Sequence, residues 1–488
     1  MVVEILGAKM LAPYLGTSHF VWVAQISVTM VALACGYMLG GKLADRSSQL
    51  SPLYTGYLVA GIWCAASVPA TEPVAFFALK FNLAFGSIVA STILFFVPLT
   101  LMAMTVPFLI KSVSQSLANL GTRLGTLSAI STMGSFAGTA GVGYVMIPRL
   151  ANSTTMFGCA AVLVLVATTY FVAFARGRKD LSALVGAWGL LPFAVFLSQQ
   201  QHAARLGGAD ELFRGNSHFG MLQVCELGPT QRYLLNDFLV QNSYDPTTSQ
   251  STAMFTYMLS ELARAYTPEI RSVLCIGLGV GIVPMDFAAA GAKVDVVEIN
   301  PAIVPVAEQF FDFDRSRVEL TLDDGRHLLN TSKSLYDVVV LDAFLGDSSP
   351  SHLMSREAFE SMRARLNPDG VLVINCFGDL KPGHDYFVGS LNKTLGAVFT
   401  SVKLHASQRG GMFFVASNQP ALVRAPRTDF SNVHVYVRDE VRYTYSHEVS
   451  VDSAVGIVLT DDYNPVEFFD ANNREELRKI LAFSMKQG

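Results

Sequence analysis

Four short apolar runs between residues 271 and 341 each end in residues that can do chemistry. Residues 271–276 run into Gly277-Leu278-Gly279-Val280-Gly281, and residues 293–297 into Glu298. Residues 318–322 lead to Asp323-Asp324-Gly325, and residues 336–341 to Asp342. The glycines Gly277, Gly279 and Gly281 permit a tight turn and close approach of a nucleotide to the backbone. Glu298 lies 21 residues beyond Gly277, where a carboxylate can accept hydrogen bonds from both hydroxyls of a ribose. Asp324 and Gly325 are placed to meet an adenine amino group. Asp342 falls where a reacting centre would lie, and a carboxylate there can orient an incoming amine and take its proton. This set favours S-adenosylmethionine over a dinucleotide. Two plainer readings stay open: glycines that only make a turn, and an Asp342 that only caps a strand end.

Those residues need a scaffold that brings the carboxyl ends of strands together. The pattern from about residue 268 supplies one. Apolar strand-like runs alternate with helix-like stretches at 282–290, from 301, and at 355–366, and a further strand is expected at 371–375 after the turn 368–370. Alternation of this kind predicts a parallel, doubly wound α/β sheet of Rossmann-like type, which binds ligands at the carboxyl ends of its strands.

The rest of the chain is different in kind. Residues 1–199 contain 10 Lys and Arg and 4 Asp and Glu, whereas residues 200–488 contain 25 and 35. The first part is net +6 and strongly apolar, and the second is net −10. Apolar stretches long enough to span a bilayer are expected at 19–41, 53–70, 87–110, 125–147, 153–175 and 181–198. Residues 1–12 read as part of a further helix, and 73–86 as an interfacial helix or part of another span. No cleavable signal peptide is evident. The steps Gly36/Gly40 and Gly134/Gly138 are suited to close helix packing, most simply within the chain. The predicted organisation is a multi-pass transmembrane domain (1–199), a small β region (200–267) and a Rossmann-like nucleoside-binding domain (268–488).

Basic residues follow alternate spans, at Lys42/Arg46, Lys111/Arg123 and Arg176/Arg178/Lys179, which marks those loops as cytoplasmic. A full crossing by 181–198 would then put the α/β part outside, away from a cofactor made in the cytosol. Either it does not cross, which its short length and Pro192 permit, or the span count is off by one; the α/β part is expected in the cytoplasm. The acidic second part has no basic face for nucleic acid. The six cysteines, Cys35, Cys64, Cys159, Cys225, Cys275 and Cys376, are scattered without C-x-x-C spacing, so they are read as small buried hydrophobes rather than disulfides or a zinc site.

Several segments in order carry a resemblance. They are GPTQRYLLNDFLVQ (228–241), SVLCIGLGVG (272–281), VDVVEINP (294–301), LDDGRHLL (322–329) and YDVVVLDAF (336–344). With them, residues 211–400 resemble the spermidine synthases, the polyamine aminopropyltransferases. LAPYLGTSHFVW (11–22), GYMLGGKLADR (36–46) and LTDDYNPVE (459–467) are similar to the spermidine synthase-like proteins fused to a membrane domain.

The resemblance implies a multi-pass α-helical membrane domain, a small β region and a methyltransferase-type catalytic domain. It also implies an integral protein of a bacterial-type inner membrane, with the lipid bilayer and a small-molecule amine as partners, and it leaves a homodimer open. The implied co-substrate is S-adenosylmethionine or its decarboxylated form, with no metal. Gln241 matches a nucleoside-contacting glutamine, Glu298 the ribose binder, Asp324 the adenine contact and Asp342 the catalytic aspartate. Tyr257, in Tyr257-Met258-Leu259, stands where the family has its polyamine segment.

Two departures bear on the amine. Val280 replaces an aspartate of the glycine loop, and Ala343-Phe344-Leu345 follows Asp342 where the family has Ser/Thr residues and a second aspartate. Asp347, Asp461, Asp462 and Glu467 are candidate replacement carboxylates, with Asp461 and Asp462 the strongest as substrate residues. Three functions are open on this reading. They are aminopropyl transfer with release of methylthioadenosine, methyl transfer to a lipophilic substrate, and a non-catalytic nucleoside or polyamine sensor coupled to a membrane transporter.

Overall fold

The computed structural model describes residues 1–465, 476 and 478, apart from 17, 47–48, 114–119, 175–177, 268, 345–349 and 453. The chain divides into two compact units, Met1–Gly207 with Asn216–His218, and Gly208–Gly215 with Phe219–Gly488. Arg176, Asp347 and Glu467 lie outside the described residues.

The first unit is helical. It contains α1 (Val2–Leu15), α2 (His19–Arg46), α3 (Ser51–Ala78), α4 (Leu83–Ala103), α5 (Thr105–Val113) and α6 (Leu120–Ala140). A π-helical turn (Gly141–Met146), α7 (Ile147–Arg149), α8 (Asn152–Phe174) and α9 (Arg178–Leu206) follow. Among the described residues, six helices are long and apolar enough to cross a membrane: His19–Arg46, Ser51–Ala78, Leu83–Ser112, Gly121–Arg149, Asn152–Phe174 and Ala183–His202.

One expectation is narrowed and one changes here. The stretch 73–86 belongs to neighbouring spans, one of its two readings, and is not a separate interfacial helix. Residues up to Ala78 continue α3, and Asn82 caps α4, its Oδ1 accepting from Phe85 N at 2.9 Å. Residues 181–198 are not a short segment either. They lie inside α9, whose 29 residues carry Pro192 without ending there.

Gly36 and Gly40 pack within the chain as expected. A Cβ on Gly36 would lie 2.4 Å from Thr100 O, and one on Gly40 would lie 2.8 Å from Met104 Cα. The second step behaves differently: nothing lies within 4 Å of a Cβ on Gly134, and only Val2 approaches one on Gly138.

The second unit begins with a five-stranded antiparallel sheet in sequential order. Its strands are β1 (Asp210–Ser217), β2 (Gly220–Glu226), β3 (Arg232–Asn236), β4 (Leu239–Asp245) and β5 (Gln250–Ser251). Helix α10 (Met254–Tyr266) leads to β6 (Ser272–Ile276), α11 (Ile282–Ala289), β7 (Lys293–Glu298), α12 (Ile303–Phe310) and β8 (Glu319–Leu322). Then come α13 (Gly325–Thr331), β9 (Tyr336–Leu341), α14 (Arg356–Arg363), β10 (Leu366–Phe377) and α15 (Tyr386–Val398). The chain continues with β11 (Ser401–Ala406), β12 (Gly411–Ser417), α16 (Arg438–Ser446) and β13 (Glu448–Val449).

The eight strands β6–β13 form one sheet in the order β13-β11-β12-β10-β9-β6-β7-β8. Strands β8, β7, β6, β9 and β10 are parallel, and β12, β11 and β13 add antiparallel pairs. This order places β6 and β9 side by side at the centre, where the crossover reverses direction and where open α/β sheets bind ligands.

Alternation along the central strands builds two cores. Val273, Cys275, Val338, Val340, Val371 and Val373 point to one face and pack with residues of α10, α11, α12 and α16. Leu274, Ile276, Val339, Leu341, Leu372 and Ile374 point to the other and pack with α13, α14 and α15. A strand apolar at every position is what a sheet covered on both faces requires. Four of the cysteines are buried as expected, whereas Cys35 and Cys159 are half-buried.

Candidate functional site

The strand order decides which side chains meet. Ile276 pairs with Val297 on one side and Leu341 on the other, so the residues that follow these strands emerge level with one another. Gly277 N donates to Val297 O at 2.9 Å, and Asp342 N donates to Ile276 O at 3.0 Å. Gly277 has φ +100°, and a Cβ there would stand 2.2 Å from the backbone oxygen of Asp342. Only glycine combines that dihedral with that approach.

Above these strand ends lies a cavity of about 390 Å³. Gln241, Gly277, Gly279, Glu298, Asp324, Gly325 and Asp342 all line it. Gly281 does not: it has φ +87° and caps α11, with its missing Cβ facing Phe313. Tyr257, Asp461 and Asp462 do not line it either. Tyr257 Oη donates to Ser251 O at 2.8 Å and accepts from His434 N at 3.3 Å, which ties it to neighbouring loops.

Each acidic residue has a defined environment. Glu298 Oε2 accepts from Leu278 N at 2.9 Å and Oε1 from Asn300 N at 2.7 Å, so the carboxylate bridges the glycine loop and the end of β7. Burial pushes its pKa up, and these backbone donors oppose that shift. With Ile299 as a third backbone donor, the carboxylate as a whole still has acceptor capacity for a further donor. Asp324 Oδ1 accepts from Arg326 N at 2.8 Å and His327 N at 3.1 Å, so it caps α13. Its Oδ2 stands 3.1 Å from His352 Nε2. Asp323 Oδ2 meets His327 Nδ1 at 2.5 Å, which holds the Asp323 carboxyl below the usual range and raises the histidine. Asp342 Oδ1 accepts from Asn375 Nδ2 at 2.9 Å. Burial nonetheless raises the Asp342 carboxyl to about 6, the asparagine pulling the other way.

Some cavity residues were not anticipated. Asn375 sits on β10, one residue past the Ile374–Leu341 pair, and so lies beside Asp342. Asn242 and Asn236, from β4 and β3, also line it, and the Oδ1 of each is buried with no hydrogen-bond partner among the described residues. Ser407, Arg409 and Gly411 come from the β11–β12 turn, and Phe377, Phe413, Phe344 and Phe255 add aromatic surface. These residues occur as isolated letters in apolar or turn text, without a spacing that marks them. Among the described residues, no group of three or more His, Cys, Asp or Glu is placed to hold a metal ion.

The glycine loop, the bridging Glu298, the capped Asp324 and the unpartnered asparagine oxygens suit an adenine nucleoside. They offer acceptors for ribose hydroxyls and an exocyclic amine, and a backbone close enough for both. Residues 252–408 match the family model described as Spermine/spermidine synthase domain. Within the second unit, residues 252–408 are thus similar to a spermidine synthase domain. The match includes Gly277, Glu298, Asp324 and Asp342 but begins after Gln241 and ends before Asp461 and Asp462.

The chain is 27% identical over 277 residues to a probable polyamine aminopropyl transferase of Bifidobacterium longum, across 52% of this chain and 61% of that protein. It is 27% identical over 169 residues to putrescine N-methyltransferase 1 of Nicotiana tabacum, across 33% of this chain and 44% of that protein. The chain therefore spans less than two thirds of either relative's length. A solved structure of spermidine synthase from Thermotoga maritima aligns with TM-score 0.40 and 18% identity, covering 48% of this chain and 84% of that one.

Proposed function

We propose that the protein is a membrane-bound transferase of aminopropyltransferase type, with its N-terminal helices in the bilayer, a small β region at 210–251 and a catalytic α/β domain after it. The donor is decarboxylated S-adenosylmethionine and the acceptor is a small amine. The observation that carries this reading is the convergence of Glu298, Asp324 and Asp342, from the carboxyl ends of β7, β8 and β9, on one cavity.

The donor's sulfonium supplies an electrophilic methylene and a neutral thioether leaving group, methylthioadenosine. Glu298 accepts from the ribose hydroxyls, and Asp324, with Gly325 close behind it, faces the adenine. Gln241 adds a carboxamide from the five-stranded sheet. Asp342 holds the acceptor's ammonium and takes one proton from it. The freed lone pair on nitrogen forms the new C–N bond while the C–S bond breaks and its electrons go to sulfur. Most of the acceleration expected from such a site is positioning, because both reactants are held in line before the bond forms.

Glu298→Gln tests the donor half. It removes a charged acceptor, and hydrogen bonds to charged groups contribute about 1.5–3 kcal/mol. Calorimetric titration with methylthioadenosine is expected to show affinity about 10- to 100-fold weaker than wild type. An unchanged affinity would remove Glu298 from the site.

Methyl transfer from intact S-adenosylmethionine is a second reading, favoured by Val280 in the glycine loop and by the likeness to a putrescine N-methyltransferase. Purified protein incubated with labelled forms of both donors and a panel of amines separates the two. Release of methylthioadenosine supports aminopropyl transfer, and release of S-adenosylhomocysteine supports methylation. Absence of either product with every acceptor would refute both.

A further inference from the structure

The segment 459–464 is stitched to the nucleoside end of the cavity from behind. Arg356 N donates to Leu459 O at 2.8 Å, Asp461 N donates to Glu357 Oε2 at 3.0 Å, and Asn464 Nδ2 donates to Ser351 O at 3.1 Å. The Asp461 side chain then joins two elements. Its Oδ2 accepts from Arg326 Nη2 at 2.9 Å, and its Oδ1 accepts from Ser355 Oγ. Arg326 belongs to the first turn of α13, and Ser355 caps α14, its Oγ accepting from Ala358 N at 3.2 Å.

The connections close into a ring. Arg326 Nη1 donates to His352 O at 2.9 Å, while His352 Nε2 faces Asp324 Oδ2 at 3.1 Å. Asp324 in turn caps the helix that carries Arg326. His352 lines the main cavity on one side and a second cavity of about 360 Å³ on the other. Arg326, Asp461 and Asn464 line that second cavity. The Arg326 side chain is only 18% exposed, so without Asp461 it would keep a largely desolvated charge without its carboxylate.

We propose that Asp461 is a positioning residue. Through Arg326 and Ser355 it fixes His352 and the capped start of α13 against the cavity, and so sets the affinity for the donor nucleoside. This rests on the nucleoside reading of that cavity. It differs from substrate contact, because both Asp461 oxygens are engaged by protein donors and the residue does not line the main cavity.

The test uses the full-length protein in detergent, methylthioadenosine titration and two-substrate kinetics. Asp461→Asn is expected to weaken methylthioadenosine binding by roughly tenfold and to raise the donor KM in parallel. The amine KM and kcat should stay within about twofold of wild type. Arg326→Gln should give the same signature, and the double variant should be no worse than the weaker single one, because both break one ring. Asp439→Asn, an exposed carboxylate on α16, is the control. A raised amine KM with unchanged nucleoside affinity would overturn the proposal in favour of substrate contact. A fall in melting temperature with unchanged affinity would overturn it in favour of a purely structural tie. If wild-type protein itself does not bind methylthioadenosine, the nucleoside reading fails, and the proposal fails with it.

Discussion

Asp342→Asn is expected to lower kcat/KM by about 10²–10⁴-fold while methylthioadenosine affinity stays within about twofold. The substitution keeps the size of the side chain and an oxygen that can accept from Asn375, and it removes both the charge that holds the acceptor's ammonium and the site that takes up its proton. The pH profile sharpens the test. Because burial raises the carboxyl to about 6, wild-type kcat/KM should fall about tenfold per pH unit below that value. The same limb should be missing from the residual activity of the asparagine variant. A variant that keeps the limb would assign it to another group.

Stability should move the opposite way. The folded carboxyl keeps its proton up to about 6, and its reference value is 3.8. Between those values the folded state binds more protons than the unfolded one, so stability falls as pH rises through this window. Asparagine carries no charge at any pH. The variant should therefore melt higher than wild type at pH 8, and the difference should vanish near pH 4. Calorimetry at the two pH values checks this.

Gly277→Ala is expected to abolish nucleoside binding and to destabilise the α/β unit. A residue with a Cβ held at positive φ costs about 1–3 kcal/mol from the dihedral alone. Overpacking adds about 1–3 kcal/mol more, because the new atom meets the Asp342 backbone oxygen, which cannot rotate away as a side-chain tip can. Relief of that clash requires the β6 and β9 ends to separate, which displaces Asp342 from the cavity. Thermal unfolding and methylthioadenosine titration measure the two effects. Gly396→Ala, on α15 with nothing within 4 Å of the new Cβ, should show neither. A Gly277→Ala protein that binds normally would mean that the glycine loop does not touch the nucleoside.

The parallel half of the sheet was legible because its central strands β6, β7 and β9 are mostly apolar and run into a glycine loop or an acid. Residues 272–276, 293–298 and 336–341 therefore declare both the strand and its carboxyl end, and parallel pairing brings those ends level. The partners that complete the site were not legible. Asn375 lies inside a 12-residue strand whose register shifts between Leu366 and Val371, so no motif marks where it arrives. Strand β11 carries Lys403 and His405, neither it nor β12 ends in an acid, and α10 falls by position in the chain within 200–267, the small β region. Its buried face, including Met258, Leu259 and Leu262, packs into the core of the large sheet instead. In the helical unit, overall hydropathy identified the spans, whereas the ends of α3 and α9 depended on Pro69, Pro73 and Pro192 being accommodated inside helices.

The reversal of strand direction at β12 has a consequence for engineering. Because β12 runs against β10, the turn that joins β11 to β12 lies at the same end of the sheet as Asp342. Gly378 N donates to Gly410 O at 3.0 Å, so the turn leans on the outgoing end of β10, and its Ser407 and Arg409 line the cavity. Glu298 and Asp324 come from β7 and the β8–α13 junction, across the sheet from this hairpin. The two regions are therefore separate modules on one frame. A hairpin of different length or charge can be grafted between residues 406 and 411 without cutting any parallel strand, so this wall of the cavity can be changed independently of Glu298 and Asp324.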